Sequence, residues 1–330
     1  MDKIGELRRR IDVIDREILE LLEKRFKIAM EIGRIKRGLG IDIYDPKRER
    51  EVIEKAGEYA RIYMEILRYS RMIQQGEIDL NIDNSIGIVG YGRMGRLFTE
   101  IFRRYFRDVI IYDIKRDIKP PKNVIAVDKL EELVKDSDYI MVSTPLTNIH
   151  ESIASIRRLV IELDLKGKTI FDIATIKYRV IPELSKYPDT VNVASIHPMF
   201  GPEIESHIGR KILIMDVPGK EGGADKLINL FSKIGFRTIE TDYISHDIYI
   251  IYTIGLPYLF GYTYGKTVET LDKDVDMYGG PSYKLFTEYY RKILDDGEEF
   301  INYIFMHPSG YEILRKVTNT LWSISGLDKI

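Results

Sequence analysis

Ile86-Gly87-Ile88-Val89-Gly90-Tyr91-Gly92-Arg93-Met94-Gly95 is the stretch that decides the fold. An apolar run of strand type enters three glycines in G-x-G-x-x-G spacing, and a helical pattern begins near Arg93. Glycines there permit a tight turn and close approach of the backbone, so a pyrophosphate can rest on the N-terminus of the following helix. The next apolar run ends in Ile110-Ile111-Tyr112-Asp113, which puts Asp113 where a carboxylate meets the adenosine ribose hydroxyls of a dinucleotide. Gly90, Tyr91, Gly92, Arg93, Met94, Gly95 and Asp113 are therefore read as cofactor-binding, with NAD preferred. Lys115 and Arg116 follow closely, and NADP stays open as the lesser alternative.

Downstream, β-rich runs at Ile86-Val89, Val109-Tyr112, Tyr139-Ser143, Thr169-Ile173 and Val191-Ile196 alternate with helical segments, the pattern of a doubly wound α/β Rossmann sheet. Upstream, Leu7, Ile11, Ile14, Ile18, Leu21, Leu22, Ile28, Ala29, Ile32 and Ile35 recur at helical spacing with no proline among them. They predict one helix over Lys3 to Arg37, roughly 50 Å long at about 1.5 Å per residue, more than a small domain's core can cover. Gly38 and Gly40 end it, Asp45-Pro46 caps a second helix running to Gly57, and a third follows from Glu58 to about Glu77. From about Thr241 the chain is aromatic and helical. The expectation is a multidomain protein with an all-α three-helix segment over 1–80, a Rossmann domain over 85–240 and an all-α substrate-binding and dimerisation domain over 241–330.

The 330 residues carry a formal charge of −2 with acids and bases interleaved, which gives no electrostatic case for nucleic acid. Small-molecule substrates are expected. The chain has no cysteine, its five histidines lack ligand-like spacing, and no metal site is predicted. No signal-peptide pattern or bilayer-length apolar run is present, so neither a membrane partner nor export is expected and the location is read as cytoplasmic.

His197 lies in Ala194-Ser195-Ile196-His197-Pro198-Met199-Phe200-Gly201-Pro202-Glu203, downstream of the glycine loop. A histidine of ordinary pKa near ~6.5 can accept a proton from an alcohol while a nicotinamide takes the hydride. With Asp172-Ile173-Ala174-Thr175-Ile176-Lys177 and Ser143-Thr144-Pro145-Leu146, this segment resembles the prephenate dehydrogenase family from Ser85 to the C-terminus. The resemblance implies that His197 draws the ring-hydroxyl proton as hydride and carbon dioxide leave, with the Thr175 hydroxyl in support. It further implies that Ser143, Thr144 and Pro145 border the cofactor, and that Arg291 (or Lys292, one residue on) grips a substrate carboxylate. Glu203 and Lys177 match positions near that pocket. Tyr258 stands beside the substrate side chain where family members often carry histidine, and Lys284 where arginine is frequent.

On the first helix Arg25 and Lys36 are eleven residues apart and share a face, whereas Arg8 is rotated roughly 100° from Arg25 at ~3.6 residues per turn. Ser70 and Gln74 share a face of the third helix. These residues, with Asp45, Arg48 and Glu49, resemble the pocket of the all-helical chorismate mutases over residues 3 to about 78. That implies an intertwined homodimer in which Arg8 crosses to the partner's site, Arg25 and Arg48 hold carboxylates, Glu49 holds a hydroxyl, and Lys36 and Gln74 donate to the ether oxygen. Asp45 and Ser70 complete the pocket. The expected function is bifunctional: chorismate to prephenate, then NAD-dependent oxidative decarboxylation to 4-hydroxyphenylpyruvate, on the way to tyrosine. Open beside it stand an arogenate dehydrogenase with a mutase domain, and a dehydrogenase whose N-terminal helices only mediate oligomerisation.

Overall fold

The computed structural model describes residues 2–75, 82–115, 118–204, 206–271, 273–293 and 297–325. Glu77, Arg116 and the segment 294–296 lie outside them. The chain divides into two compact units. One is Met1–Ile82 with Glu205–Arg210 and Asn229–Arg237; the other is Asp83–Ile204, Lys211–Ile228 and Thr238–Ile330.

In the first unit, α1 (Asp2–Gly38) is the long helix anticipated from its apolar period. α2 (Pro46–Ala56) begins as its sequence dictates: Asp45 accepts the Arg48 N–H at 2.9 Å, and proline fills the first turn, where no N–H is needed. A short 3-10 turn over Gly57–Tyr59 leads into α3 (Ala60–Gln75). Phe26 sets its ring edge-on to Tyr69 at 4.7 Å, Arg25 bonds the Ser70 hydroxyl, and Gly33 meets the backbone of Gln74. Because these contacts advance together along both helices, α3 runs in the same sense as α1, and α2 is the return. Gly33 makes the approach possible, since a Cβ there would lie 2.5 Å from Gln74 Cα. The remaining face of α1 has no cover: Ile4, Leu7, Ile11, Ile14, Ile18, Leu21, Ile28, Ile32 and Ile35 are between 42% and 64% exposed. Their spacing alternates three and four, the seven-residue repeat of a helix seam, with Arg25 in the one remaining position.

The second unit is built on a sheet of order β3-β2-β1-β4-β5-β6-β7-β8. In chain order the sheet and its helices are β1 (Ile82–Val89), α4 (Arg93–Phe102), β2 (Phe106–Tyr112), β3 (Ile125–Ala126), α5 (Leu130–Asp136), β4 (Tyr139–Val142), α6 (Ile149–Glu162), β5 (Thr169–Asp172), α7 (Ile181–Leu184), β6 (Asn192–Pro198), β7 (Lys211–Asp216), α8 (Gly223–Lys233) and β8 (Arg237–Glu240), of which Ile82, the end of α8 from Asn229 and Arg237 are counted with the first unit. The pairs β1/β4, β2/β3, β4/β5 and β5/β6 are parallel; the apolar runs of β1, β2, β4, β5 and β6 are largely buried, as a parallel sheet covered by helices requires, while both residues of the edge strand β3 are exposed. β7 then turns antiparallel to β6, setting Leu213 opposite His197. The sequence pattern finds the five central strands but not β3, β7 or β8. β3 has two residues, and Ile212-Leu213-Ile214-Met215 is apolar without a period.

The chain continues as α9 (Tyr243–Ile250), a π-helical turn over Ile251–Gly255, α10 (Leu256–Val268), α11 (Pro281–Ile293), α12 (Gly297–Phe305) and α13 (Pro308–Ser325). Pro257 cannot donate to the carbonyl four residues back, which accounts for the widened turn just before it. These helices fall in the same compact unit as the sheet, where the sequence pattern gives them a domain of their own. Among the described residues no helix is long and apolar enough to cross a membrane.

The packing at Gly33 predicts a contrast within α1. Gly33→Ala lowers stability by about 1–3 kcal/mol, because a methyl group has no room beside Gln74. Gly5→Ala, which meets only the Arg9 guanidinium at 3.9 Å, raises it by about 0.5–1 kcal/mol through helix propensity. Denaturant melts of the two variants followed by helical circular dichroism check both signs.

Candidate active site

The glycine loop sits between β1 and β4, where the strand order reverses, the position at which open α/β sheets take ligands. Gly90 adopts φ +99°, and a Cβ on it would strike the Ser143 carbonyl and Thr144 nitrogen at 2.8 Å. A Cβ on Gly95 would lie 2.1 Å from the Gly90 oxygen, so this glycine lets α4 close onto the loop. Gly92 differs: its Cβ would meet nothing within 4 Å, and it opens α4 with no side chain capping the first-turn amides. The Ser143 hydroxyl donates to Gly90 O at 2.6 Å and fixes the loop from the neighbouring strand. Asp113 accepts the Tyr91 N–H at 2.7 Å and the Lys115 N–H at 2.8 Å, placing its carboxylate at the loop's edge. Arg96 stacks over Tyr91, Arg93 and Met94 stand in the first turn of α4, and Pro145 is exposed just after Thr144. Open space at Gly92, uncapped amides and the Thr144 hydroxyl, which is buried with no hydrogen-bond partner among the described residues, together form a cradle that fits a dinucleotide pyrophosphate.

His197 is the last residue but one of β6, at 5% exposure. Its Nδ1 lies 3.0 Å from His246 Nε2, and His246 Nδ1 lies 2.8 Å from Asp247 Oδ1. The Asp247 carboxylate also accepts the backbone N–H of Lys177 at 2.9 Å to each oxygen and that of Tyr178 at 2.8 Å. Lys177 has no exposed surface. Its ammonium donates to Asp172 Oδ1 at 2.8 Å and to Ile196 O at 2.7 Å, and Ser195 donates its hydroxyl to the other Asp172 oxygen. Burial, reinforced by His246 and Lys177, holds the His197 pKa well below the usual histidine value. Burial also lowers His246, against the pull of Asp247, and lowers Lys177, against the pull of Asp172. A neutral His197 is thereby kept as a proton acceptor.

The structure sets Lys177 against the strand that carries His197, gathers Gly90, Tyr91 and Gly95 with Ser143, Thr144 and Asp113 around the loop, and changes the reading of Lys177. Lys177, expected beside the substrate, is wholly inside the protein with its ammonium engaged, so it holds the wall of the site. Thr175 is half-buried in the same loop. Tyr258 is half-buried against Tyr289 and Phe300, while Arg291 and Glu203 are exposed. His246 and Asp247 escape sequence reading because they are 49 and 50 residues beyond His197 with no spacing rule to link them. The signal available is a His-Asp pair inside the otherwise apolar helix Tyr243–Ile250.

In the helical unit, Arg25 reaches Ser70 across the α1–α3 contact, with its pKa lowered by burial. Lys36 donates to the carbonyls of Asp42 and Ile43 at 3.0 and 3.1 Å. Glu49 accepts from Arg71, a partner the sequence did not single out, whose guanidinium also lies over Tyr44. Arg48 is exposed and paired with Glu51, Arg8 is exposed, and the Asp45 carboxylate caps α2.

Comparison with known proteins agrees with both halves. The family described as chorismate mutase type II matches residues 7–110, and the NAD binding domain of the D-isomer specific 2-hydroxyacid dehydrogenases matches residues 61–160. The T-protein of Haemophilus influenzae is 27% identical over 262 residues, 75% of this chain and 65% of that relative; this chain thus spans just under two thirds of its length. A chorismate mutase of Methanocaldococcus jannaschii is 40% identical over 55 residues, 17% of this chain and 56% of the relative. The prephenate dehydrogenase of A. aeolicus, solved with hydroxyphenyl propionate and NAD+, superimposes with a TM-score of 0.55 at 18% identity, over 75% of this chain and 92% of that one.

The sheet and its cradle have the form of a dinucleotide-binding domain followed by a helical C-terminal region, and the match over residues 61–160 is to an NAD binding domain. More particularly, residues 7–110 match the chorismate mutase type II family, and the sheet with its C-terminal helices has the fold of the prephenate dehydrogenase structure.

The three glycines are expected to separate binding from folding. Gly92→Ala keeps the wild-type melting temperature within about 2 °C yet weakens NAD binding at least about tenfold in calorimetric titration, because the new methyl enters the cradle. Gly95→Ala loses stability instead, by about 1–3 kcal/mol, because its methyl meets the fixed Gly90 carbonyl.

Proposed function

We propose that this protein rearranges chorismate to prephenate on its helical unit, and oxidatively decarboxylates prephenate to 4-hydroxyphenylpyruvate on its sheet unit, as a cytoplasmic step toward tyrosine. The observation that carries the reading is a buried His197, its pKa held well below the usual histidine value, in the same unit as a dinucleotide cradle, in a chain whose residues 7–110 match the chorismate mutase type II family.

On the sheet unit, NAD bound along Gly90–Gly95 with Asp113 at its ribose supplies the hydride acceptor. The chain's own residues do the rest. His197 Nε2, the ring nitrogen left free by the bond to His246, accepts the proton of the ring hydroxyl. Thr175 offers a hydroxyl from the neighbouring loop. Arg291 grips a substrate carboxylate as a fixed cation, and Glu203 and Tyr258 border the substrate. Lys177 and Asp172 position this wall from within.

On the helical unit no nucleophile is needed; a pericyclic rearrangement is accelerated by conformational restraint and by charge placed at the breaking ether bond. Arg25 and Arg48 hold carboxylates and Glu49 the hydroxyl, with Ser70 and Asp45 setting their neighbours. Gln74 and Lys36 donate to the ether oxygen, Lys36 with the one ammonium hydrogen not spent on Asp42 and Ile43. The apolar seam of α1 supports a homodimer in which Arg8 of the partner subunit completes the pocket, and the C-terminal helices supply a second contact between copies.

The test is NADH formation by the purified protein given chorismate and NAD alone, corrected for spontaneous rearrangement. Arg25→Ala is expected to cut this flux at least about 10²-fold while prephenate oxidation continues, and His197→Asn to cut prephenate oxidation about 10²–10⁴-fold while chorismate is still consumed. Loss of neither activity would contradict the assignment.

The acid limb of the pH profile follows from the direction of the His197 shift. Only the neutral imidazole accepts a proton, and its pKa in the fold is depressed. Thus kcat/KM for prephenate holds as pH falls through ~6.5 and drops only below it. An acid limb at or above ~6.5 would contradict a buried, depressed base.

A further inference from the structure

Beyond supplying a base, the reaction requires that the base present the correct nitrogen. An imidazole carries one proton on two nitrogens when neutral, and a His197 protonated at Nε2 would face the substrate hydroxyl as a second donor. The backbone decides which form exists. Amide groups of Lys177 and Tyr178 can only donate, and they direct three contacts of 2.8–2.9 Å onto the two oxygens of Asp247. That carboxylate is therefore an acceptor toward His246, whose Nδ1 at 2.8 Å must carry a proton. Neutral His246 then has its lone pair on Nε2. At 3.0 Å that lone pair requires a proton on His197 Nδ1, which leaves His197 Nε2 bare.

We propose that His246 and Asp247 are positioning residues that lock His197 in the Nδ1–H tautomer, so that the Nε2 lone pair always faces the substrate; this rests on the dehydrogenase reading given above. A competing reading of the same row is a path for proton exit, since His307 Nε2 lies 3.8 Å from the far oxygen of Asp247. The chemistry argues against it. As hydride leaves carbon, the substrate O–H bond breaks and its proton forms the Nε2–H bond of His197. When the ring carboxylate departs as carbon dioxide, the electron pair of the broken C–C bond enters the ring, and the oxygen takes the same proton back. No proton is released, so a fixed tautomer is needed and an exit is not. While His197 is charged, its Nδ1–H points along His246 toward Asp247, which shares the charge. The ionisable groups around this row are Lys177 and Asp172 from the β5 loop, His246 and Asp247 from α9, His307 from the α12–α13 turn, and the buried phenol of Tyr303 from α12.

Nitrogen-15 spectra of the full chain labelled at histidine read the tautomer directly. There are five histidines, and His197 is identified by the signals lost in His197→Asn. The expected wild-type spectrum has a protonated Nδ1 and a bare Nε2 on His197. In Asp247→Asn the amide can donate to His246, which reverses both rings; kcat for prephenate should fall at least about 10²-fold with KM within about twofold, as the amide substitution does in Ser-His-Asp hydrolases. His246→Gln, whose carbonyl still accepts from Nδ1–H, should keep the wild-type tautomer of His197 and kcat within about tenfold. A wild-type His197 protonated at Nε2, or an Asp247→Asn protein with unchanged tautomer or unchanged kcat, overturns the proposal. If Asp247→Asn does not fold, the wild-type spectrum and His246→Gln decide by themselves. A wild type with the expected tautomer that does not oxidise prephenate refutes the dehydrogenase reading instead, and the two failures are told apart.

Discussion

A lysine and an aspartate with no exposed surface hold the catalytic corner together. Taking both charges out of water costs several kcal/mol per ion, and their attraction offsets this only when every remaining donor and acceptor is used. Here nearly all are. Lys177 spends its ammonium on Asp172 and on the carbonyl of Ile196, next to His197; Asp172 takes up the Ser195 hydroxyl and the Ala174 amide; and the Lys177 backbone amide holds Asp247. One side chain thus ties the end of β5 to the end of β6 and, through its own main chain, to α9. A lysine removed from such a place would leave an unpaired buried carboxylate, so its neighbours have little freedom to drift.

That arrangement also explains what could be read in advance. The cofactor loop was legible because its motif is local: three glycines lie within six residues between a strand-type run and a helical pattern, although the atoms that crowd Gly90 belong to distant Ser143 and Thr144. The long first helix was legible because one apolar period runs from Leu7 to Ile35 with a single break at Arg25. His197 was legible from its setting among neighbours in sequence. The interior placement of Lys177 was not, because a lysine beside a candidate site reads as a substrate contact until the strand register shows which way it points. Asp247 was less legible still. Its partners lie 70 and 69 residues away and are backbone amides, which have no sequence signature.

The sheet's last third was hidden for a related reason. β7 pairs antiparallel to β6, and both its faces are covered, so it lacks the alternation that marks a half-buried strand. Yet this strand is what holds His197 from the outer side, at the level of Leu213. Its addition turns an open sheet edge into a backed wall, and the base is seated in a strand flanked on both sides rather than on a loop.

The unequal lengths of α1 and α3 carry a consequence for how the protein is made. α1 has 37 residues and α3 has 16, and the contacts between them begin near Arg25. The first twenty or so residues of α1 therefore form helix with no neighbour in their own helical bundle and an apolar stripe facing outward. An isolated helix of that length is marginal in water. If a second copy supplies the missing cover, helix formation and association become a single equilibrium, and the concentration of protein sets how much of α1 exists. In that case the full length of α1 is complete only in the associated state.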